Sequence, residues 1–182
     1  MKELSLNILD ITENSTKAGA NNVSITIREE TDTMTITVSD DGCGMMPEFL
    51  AEVTNPFTTT RTTRKVGLGI PLLKLAAEQT GGYVNIESKH ESLYPSDHGT
   101  TTTAMLYKNH LDFTPLGDVI STVTTLIQGH PDVDFVYEHT TPERSVKLDT
   151  KELRNVLGDD VPLDSFEVIY WIKDFLTEQY SL

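Results

Sequence analysis

Two polar segments of this chain combine residue types and a spacing that could do chemistry. One supplies Asp10 and Asn14 from a predicted helix, and the other, residues 40–45 (DDGCGM), begins 26 residues after Asn14 at the end of an alternating strand. Asp40 can accept a hydrogen bond from the exocyclic amine of adenine, whereas guanine presents a carbonyl there. Gly42 and Gly44 let the backbone approach a base closely. Together the segments predict a site for a purine nucleotide and a metal, although residues 41–42 alone would equally suit the tip of a hairpin.

Asp10 and Asn14 lie one helical turn apart, so their side chains project on the same side of the helix. A carboxamide oxygen suits Mg²⁺, which keeps several waters and is otherwise held by substrate phosphates. Asp10 could then accept the proton of a water that attacks the γ-phosphate. Glu13 is the rival base, but it lies about 100° around the helix from Asn14, and we expect it to face solvent. The same stripe would also fit the solvated side of an amphipathic helix.

A second glycine segment, Gly67-Leu68-Gly69, opens a predicted helix. Unpaired backbone N–H groups and the helix dipole attract anions at such a position, so phosphates are expected there. A helix entry that needs backbone freedom is the other interpretation. Three basic residues just upstream could close over the phosphates or remain solvated, and the sequence does not distinguish among them: Arg61, Arg64 and Lys65.

Thr100 begins a predicted strand, and its hydroxyl could join Asp40 and a water around the base. A threonine in a Thr-rich strand fits a purely structural role as well. We expect Cys43 to be structural, because no histidine neighbours it in sequence to raise its thiolate fraction. The five histidines are scattered, which gives little support to a metal site built from imidazoles.

The composition narrows the functional class. Twenty-eight acidic and fourteen basic residues give a net charge of −14, which disfavours direct contact with nucleic acid. A single cysteine excludes an internal disulfide and indicates a reducing, cytoplasmic compartment. The sequence contains no uninterrupted apolar stretch of about 18 residues, so we expect a soluble protein with no membrane partner.

The hydrophobic pattern predicts an α+β fold, a two-layer sandwich in which helices cover a mixed sheet, with a small α/β extension at the carboxyl end. A change of pattern between Lys108 and Pro115 divides the chain into residues 1–107 and an acidic extension, residues 108–182. On the helix that follows Gly67, we expect the buried face to contain Leu68, Leu72, Leu75 and Ala76. The predicted helices are 2–18, a short one from 47, 67–80, 116–127, 150–157 and 164–179, and the predicted strands are 23–27, 34–38, 83–87, 100–107, 133–137 and 145–148.

These segments, in this order, resemble the GHKL superfamily of ATPases, which includes gyrase, chaperone, histidine kinase and MutL proteins. Residues 13–20 (ENSTKAGA) and 40–45 resemble the first two motifs of MutL-type mismatch-repair ATPases. Residues 56–61 (PFTTTR), 67–70 (GLGI) and 99–101 (GTT) are more similar to the later motifs of sensor histidine kinases. The resemblance covers residues 1–107 and does not extend into residues 108–182.

The resemblance implies a Bergerat fold that binds ATP and Mg²⁺, with Asn14 as the metal ligand and Asp40 on the adenine. It places Gly42, Gly44 and Met45 around the base and Gly67, Leu68 and Gly69 near the phosphates. Asp10 stands where hydrolysing members carry a glutamate, which is one methylene longer. Lys65 stands where the family has a glycine.

Sensor kinases of this family carry a phosphoacceptor histidine on a helical hairpin upstream of the nucleotide-binding domain, whereas this sequence begins at the nucleotide helix. We therefore expect a stand-alone ATP-binding domain that hydrolyses ATP or phosphorylates a partner protein in trans. The alternative is a regulatory binding module in which ATP changes the surface offered to a partner protein, with little or no turnover.

Overall fold

The computed structural model describes residues 3–54 and 68–182, and within them six strands form one sheet in the order β3-β4-β2-β1-β5-β6. The strands are β1 (Asn22–Glu29), β2 (Thr33–Asp40), β3 (Tyr83–Lys89), β4 (Gly99–Tyr107), β5 (Asp134–Thr140) and β6 (Ser145–Asp149). The helices are α1 (Leu4–Lys17), α2 (Pro47–Thr54), α3 (Gly69–Gln79), α4 (Val119–Gly129), α5 (Thr150–Leu157) and α6 (Phe166–Ser181).

The sheet is mixed, as predicted. Strands β1 and β5 are parallel, whereas β1–β2, β2–β4, β3–β4 and β5–β6 are antiparallel. Helices pack on this mixed sheet, so the predicted α+β class with a helical layer over the sheet is confirmed. None of the helices in the described part of the chain combines the length and the apolar character needed to cross a bilayer.

Strict alternation in the strands explains why only one face of the sheet is fully buried. In β2, Met34, Ile36 and Val38 are buried, whereas Thr35 and Thr37 between them are partly exposed. Because successive side chains of a strand point to opposite faces, Asp40 falls in the inward phase of Ile36 and Val38. The sequence of β2 thus directs the Asp40 carboxylate toward the helical layer.

Helix α1 lies between α3 and α4 and contacts β1 and β2. Its apolar stripe of Leu4, Ile8 and Ile11 is fully or almost fully buried, as its spacing predicts. The polar stripe is not a solvated face, because Asn7 is buried and Asp10 and Asn14 are half-buried. Packing on two flanks therefore encloses both stripes of this helix.

The buried face of α3 differs from the expected one. Leu68 precedes the helix and is 71% exposed, and Leu75 is 51% exposed. Ala76 is buried as expected, but the other buried side chains are Ile70, Leu73 and Ala77. Apolar residues occur around most of this helix, so its periodicity fits either face, and the contacts with α1, β3 and β4 decide between them.

The carboxyl-terminal residues extend the same sheet. β5 pairs with β1 from Asn22 opposite Asp134 to Arg28 opposite Thr140, and β6 continues from β5. Phe135, Tyr137 and Ile172 are buried in the same hydrophobic cluster as the side chains of α1. The division at residue 108 stays a prediction, and structurally the extension shares its sheet and its core with the preceding residues.

Candidate functional site

The Asp40 carboxylate is fixed by three hydrogen bonds from three parts of the chain. Its Oδ2 accepts from the Ser15 hydroxyl of α1 at 2.6 Å. Its Oδ1 accepts from the backbone N–H of Gly42 at 2.9 Å and from that of Thr100 at 3.3 Å. A carboxylate has about four acceptor positions, so an acceptor position remains for an N–H group of a ligand.

The turn after β2 is held by its surroundings and is not a hairpin tip. β2 pairs with β1 and β4, and the next element is α2. The Cys43 N–H donates to the Ala18 carbonyl at 2.9 Å, and the Cys43 carbonyl accepts from Glu91 at 2.8 Å. The hairpin interpretation of residues 41–42 is therefore wrong, because this turn is clamped between the end of α1 and the segment after β3.

Close packing explains both glycines of this turn. Gly44 has a φ of +72°, and a Cβ there would lie 1.9 Å from the Lys89 carbonyl oxygen. A Cβ on Gly42 would lie 2.9 Å from the Cβ of Ala18. These glycines bring the turn close to α1 and β3, which shapes the space beside Asp40.

A serine that the sequence reasoning missed connects the turn to β4. The Ser88 hydroxyl accepts from the Met45 N–H at 2.8 Å, donates to the Gly99 carbonyl at 3.1 Å and lies 2.8 Å from the Thr100 hydroxyl. Thr100 therefore contacts Asp40 through its backbone, while its hydroxyl contacts Ser88. The sequence signal was a polar residue in the inward phase of β3, after Val84 and Ile86.

The other end of the site contains Asp10 and Asn14. The Asn14 Nδ2 atom is buried and has no hydrogen-bond partner among the described residues. α3 begins against Asp10, because a Cβ on Gly69 would lie 2.6 Å from the Asp10 Cβ. The first turn of a helix presents unpaired N–H groups. α1 thus brings a carboxylate and an unsatisfied carboxamide to the amino-terminal end of α3.

Glu13 does not face solvent as expected. Its Oε1 atom lies 2.9 Å from Nε2 of His130, at the carboxyl end of α4, and both side chains are about one-third exposed or less. The expectation failed because the sequence gives no sign that α4 covers this flank of α1. Glu13 is therefore engaged with the extension rather than with solvent.

Asp41, which the sequence reasoning left unassigned, ties two strands together. Its Oδ1 accepts from the backbone N–H groups of Asn21 and Asn22 at 2.8 and 2.9 Å, and its Oδ2 accepts from the Asn22 side chain at 2.7 Å. Burial tends to raise the pKa of Asp41, but these hydrogen bonds outweigh burial and hold the pKa below its usual value. The two adjacent aspartates thus differ in role, because the Asp41 carboxylate is hydrogen-bonded to the start of β1, whereas Asp40 retains an acceptor position.

Comparison with known proteins agrees with this geometry. Residues 1–110 match the family model described as histidine kinase-, DNA gyrase B- and HSP90-like ATPases. The match covers more than half of the chain. The chain belongs to this ATPase family. A search of the curated proteins found no match.

Solved structures share the fold at low sequence identity. The N-terminal domain of a DNA repair protein is 18% identical, with a TM-score of 0.55, over 87% of this chain and 58% of its own. The ADP-complexed MutL ATPase domain of Aquifex aeolicus is 15% identical, with a TM-score of 0.53, over 86% of this chain and 69% of its own. The shared fold therefore extends beyond residue 110. The mycobacterial sensor histidine kinase MprB is 21% identical over 56% of this chain and 67% of its own, with a TM-score of 0.42.

The structure locates most, but not all, of the predicted site residues of this ATPase-family member. It gathers Asp40, Gly42, Gly44, Met45 and Thr100 around the end of β2, and it brings Asp10 against Gly69 at the start of α3, with Asn14 one turn further along α1. Leu68 adjoins that helix and is largely exposed. Four predicted residues lie outside the described part of the chain: Arg61, Arg64, Lys65 and Gly67.

The donor set of the described residues limits how the ATPase-family domain could hold a metal. Among residues 3–54 and 68–182, no group of three or more His, Cys, Asp or Glu side chains could hold an ion. Mg²⁺ fits such a site when one or two protein oxygens, waters and substrate phosphates complete its shell. The half-buried carboxamide of Asn14 fits the part of a single protein ligand.

Proposed function

We propose that this chain binds Mg-ATP with the adenine at Asp40 and the phosphates at the start of α3, and that it transfers the γ-phosphoryl group to water or to a partner protein. The observation that carries the proposal is the position of α1. Ser15 of this helix donates to Asp40, and five residues earlier Asp10 contacts Gly69 at the start of α3. One helix thus joins the two ends of the proposed nucleotide site.

Adenine recognition follows from the way Asp40 is held. The three donors keep the carboxylate in one orientation, so that the remaining acceptor position can meet the exocyclic amine of adenine. Guanine would bring a carbonyl oxygen to the same position and leave two acceptors facing each other. Selectivity of this kind is large, because the wrong base leaves buried polar groups unpaired.

Asn14 would hold Mg²⁺, with ATP phosphates and waters as the other ligands, and the ion would neutralise charge that develops on the phosphates. Within the chain itself, Asn14 positions its carboxamide beside Asp10 on the same face of α1. The buried Nδ2 atom is a donor and cannot bind the ion, but its lack of a partner among the described residues supports an acceptor, such as a phosphate oxygen, beside the carboxamide, since an unsatisfied buried donor costs about 1–3 kcal/mol.

Asp10 would act as the base that accepts a proton from the attacking water or hydroxyl group. It lies beside the amino-terminal end of α3, where N–H groups would bind the phosphates. The positive end of the helix dipole and the N–H groups favour the charge that forms on the transferred phosphoryl group. The remaining contribution to catalysis would be the positioning of the γ-phosphate and the attacking group, as in phosphoryl transfer generally.

A specific contact also favours the alternative of an ATP-switched binding module. The backbone N–H groups of Leu4 and Ser5, at the start of α1, donate to the carbonyls of Pro115 and Leu116, and Glu13, near its end, contacts His130. The extension therefore follows α1 along most of its length. A nucleotide that shifts α1 would move the surface formed by residues 108–182 even if turnover were slow.

Phosphate release and protein labelling separate these functions. Pure protein is incubated with Mg²⁺ and γ-labelled ATP, beside Asp10→Asn and the matched control Glu13→Gln on the same helix. The proposal predicts that Asp10→Asn binds ATP but loses about 10²- to 10⁴-fold in turnover, while Glu13→Gln keeps it.

Equal turnover in wild type and Asp10→Asn would remove Asp10 as the base. ATP binding without released phosphate or labelled protein in any variant would favour the switch over the enzyme. Absence of ATP binding in wild type would contradict the nucleotide proposal as a whole.

A further inference from the structure

An apolar groove lies between α5 and α6, away from the nucleotide site. Its walls are formed by Leu153, Val156 and Leu157 of α5 and by Trp171 and Phe175 of α6. Its volume is about 590 Å³. We call this feature the α5–α6 groove, and its volume falls within the range of about 300–1,000 Å³ that is usual for binding pockets.

The groove exposes the kinds of side chain that dominate binding energy at interfaces. Val156 is 83% exposed and Trp171 is 47% exposed. The rings of Trp171 and Phe175 stack in parallel, with centroids 4.9 Å apart and an interplanar angle of 11°. Stacked aromatic side chains provide a rigid apolar surface at low entropic cost, and tryptophan is strongly enriched among binding hot spots.

The rim of the groove is acidic. On α6, Glu167, Asp174 and Glu178 lie four residues before, three after and seven after Trp171, so they share its side of the helix. Glu152 of α5 and Lys147 of β6 also line the groove, and the Lys147 Nζ atom is paired with Glu138 at 3.7 Å. Within the described residues, no ion pair engages Glu152 or any of the three α6 carboxylates. An apolar floor with unpaired acidic edges is complementary to an apolar stripe flanked by basic residues.

The edge of β6 excludes an added strand at the same place. β6 ends the sheet, but the Gln179 side chain accepts from the Lys147 N–H at 3.0 Å and donates to the Lys147 carbonyl at 3.0 Å. These two bonds occupy the backbone groups that a further strand would need. A helix, which needs no backbone partner on β6, therefore fits this groove better than an added strand does.

We propose that the α5–α6 groove binds a basic amphipathic helix of a partner protein, with apolar side chains against Val156, Trp171 and Phe175 and with lysine or arginine side chains at the acidic rim. This is the helix-in-groove mode of recognition. The proposal does not depend on nucleotide chemistry, since none of its residues belongs to the site around Asp40 and Asp10. It gives the extension a role as a docking surface.

Trp171 provides a direct readout because it is the single tryptophan of the chain. The probe is a synthetic amphipathic helical peptide with leucine on one face and lysine on the other, titrated into the full chain while Trp171 emission is recorded. The proposal predicts a saturable blue shift with one peptide per chain, weakened by salt. A peptide of the same composition in scrambled order, and one with glutamate in place of lysine, should give no saturable shift.

Two variants with the same change of charge test the location. Val156→Asp removes an apolar wall of the groove, whereas Phe166→Asp changes a residue of similar exposure, 79%, outside it. Both positions are exposed, so both variants should fold. Val156→Asp should weaken peptide binding by about tenfold or more, and Phe166→Asp should bind as wild type does. Because the new aspartate adds negative charge, non-specific attraction of the lysine peptide would not be weakened in Val156→Asp, so weaker binding would report the loss of the apolar wall.

Equal binding of the ordered and scrambled peptides, or equal binding by Val156→Asp and wild type, would overturn the proposal. A blue shift that appears without peptide as protein concentration rises, together with a dimer in sedimentation, would assign the groove to a second copy of the chain instead. ATP binding is measured in the same samples. A protein that binds ATP but not the peptide contradicts the groove proposal alone, and one that binds the peptide but not ATP contradicts the proposed function alone.

Discussion

The two ends of the β1–β2 hairpin both contain a carboxylate that receives several hydrogen bonds, but their surroundings differ. At the end of β2, Asp40 is bound by backbone N–H groups and a serine hydroxyl, and it retains an acceptor position. At the end of β1, Glu29 contacts Lys108 Nζ and His139 Nε2, each at 2.8 Å. We call these the Asp40 end and the Glu29 end.

The Glu29 end is a closed network. The second ring nitrogen of His139 lies 2.7 Å from the Tyr180 hydroxyl, which lies 2.5 Å from that of Tyr137. Burial raises the pKa of both tyrosines, so both stay neutral. The hydrogen-bonding groups of these side chains are paired with one another, and the contacts of Tyr180 join α6 to the sheet. The Asp40 end instead contacts α1 through Ser15, which follows Asn14, and the Asn14 side-chain nitrogen is buried with no hydrogen-bond partner among the described residues. Open hydrogen-bonding positions, rather than the number of polar groups, therefore distinguish a binding site from a structural network.

The largest expected effect is loss of stability at the Asp40 end in Gly99→Ala. Gly99 has a φ of +139°, and a Cβ there would lie 2.0 Å from the Asp40 carbonyl oxygen. We expect the free energy of unfolding to fall by about 3 kcal/mol or more, measured by denaturant unfolding.

Gly129→Ala is the matched control, because this residue ends α4 and a Cβ there meets no atom within 4 Å. It should be neutral or stabilising by up to about 1 kcal/mol. Equal stability of the two variants would show that the strand ends near Asp40 are not closely packed.

Glu29→Gln tests whether the Glu29 end is structural only. We expect a loss of about 1.5–3 kcal/mol of stability, because hydrogen bonds to a charged group are removed, with unchanged ATP affinity. Glu30→Gln is the control, since the Arg28–Glu30 pair is exposed and should contribute little. A large loss of ATP affinity in Glu29→Gln would break the distinction between the two ends.

The pH dependence of the Glu29 effect has a definite sign. Burial tends to raise the pKa of Glu29, but the hydrogen bonds and charges of Lys108 and His139 outweigh burial and hold the pKa below the ordinary value of 4.5. The stabilisation is therefore fully present above about pH 4.5 and is lost as the pH falls through the lowered, folded-state pKa. Unfolding measured at neutral and acidic pH should show the difference between wild type and Glu29→Gln shrinking in acid.

Ser15→Ala sharpens the role of the donors at the Asp40 end. Without the 2.6 Å hydrogen bond from Ser15, the carboxylate is held by two donors instead of three. We expect ATP affinity to fall by about tenfold in calorimetric titrations. Thr16→Ala is the control, because the Thr16 hydroxyl donates to the Glu13 carbonyl within α1. Equal affinity in both variants would show that Ser15 does not position Asp40.

The smallest expected effect is that of Asp41→Asn. Its carboxylate binds the start of β1 and has no contact with the proposed base position. We expect a stability loss of about 1 kcal/mol and an ATP affinity close to that of wild type. An ATP defect as large as that of Asp40→Asn would mean that the adjacent aspartates do not have separate roles.

Local pattern was sufficient to predict much of this fold. Alternation along β1, β2, β3 and β4 identified the strands, and α5 begins and ends at the predicted residues, 150 and 157. The sequence also placed Asp40 at the end of an alternating strand, where the structure has it. These features depend on residues that are close in sequence, where periodicity and turn residues carry the signal.

Long-range partners account for the failures. Glu13 and His130 are 117 residues apart in the sequence, and Ser88 meets Met45 across 43 residues. The prediction of the buried face of α3 was wrong for the same reason, because the contacts with neighbouring elements decide which of its apolar sides is buried. Residues whose partners lie far along the chain give no local signal, so neither the flank of α1 covered by α4 nor the Ser88 bridge could be predicted.

The most direct test is calorimetric titration of wild type and Asp40→Asn with ATP and with GTP, in the presence of Mg²⁺. We expect wild type to bind ATP in preference to GTP, and Asp40→Asn to lose about 100-fold in ATP affinity while remaining folded. Equal ATP affinity in the two proteins, or equal affinity of wild type for ATP and GTP, would contradict Asp40 as the group that reads adenine.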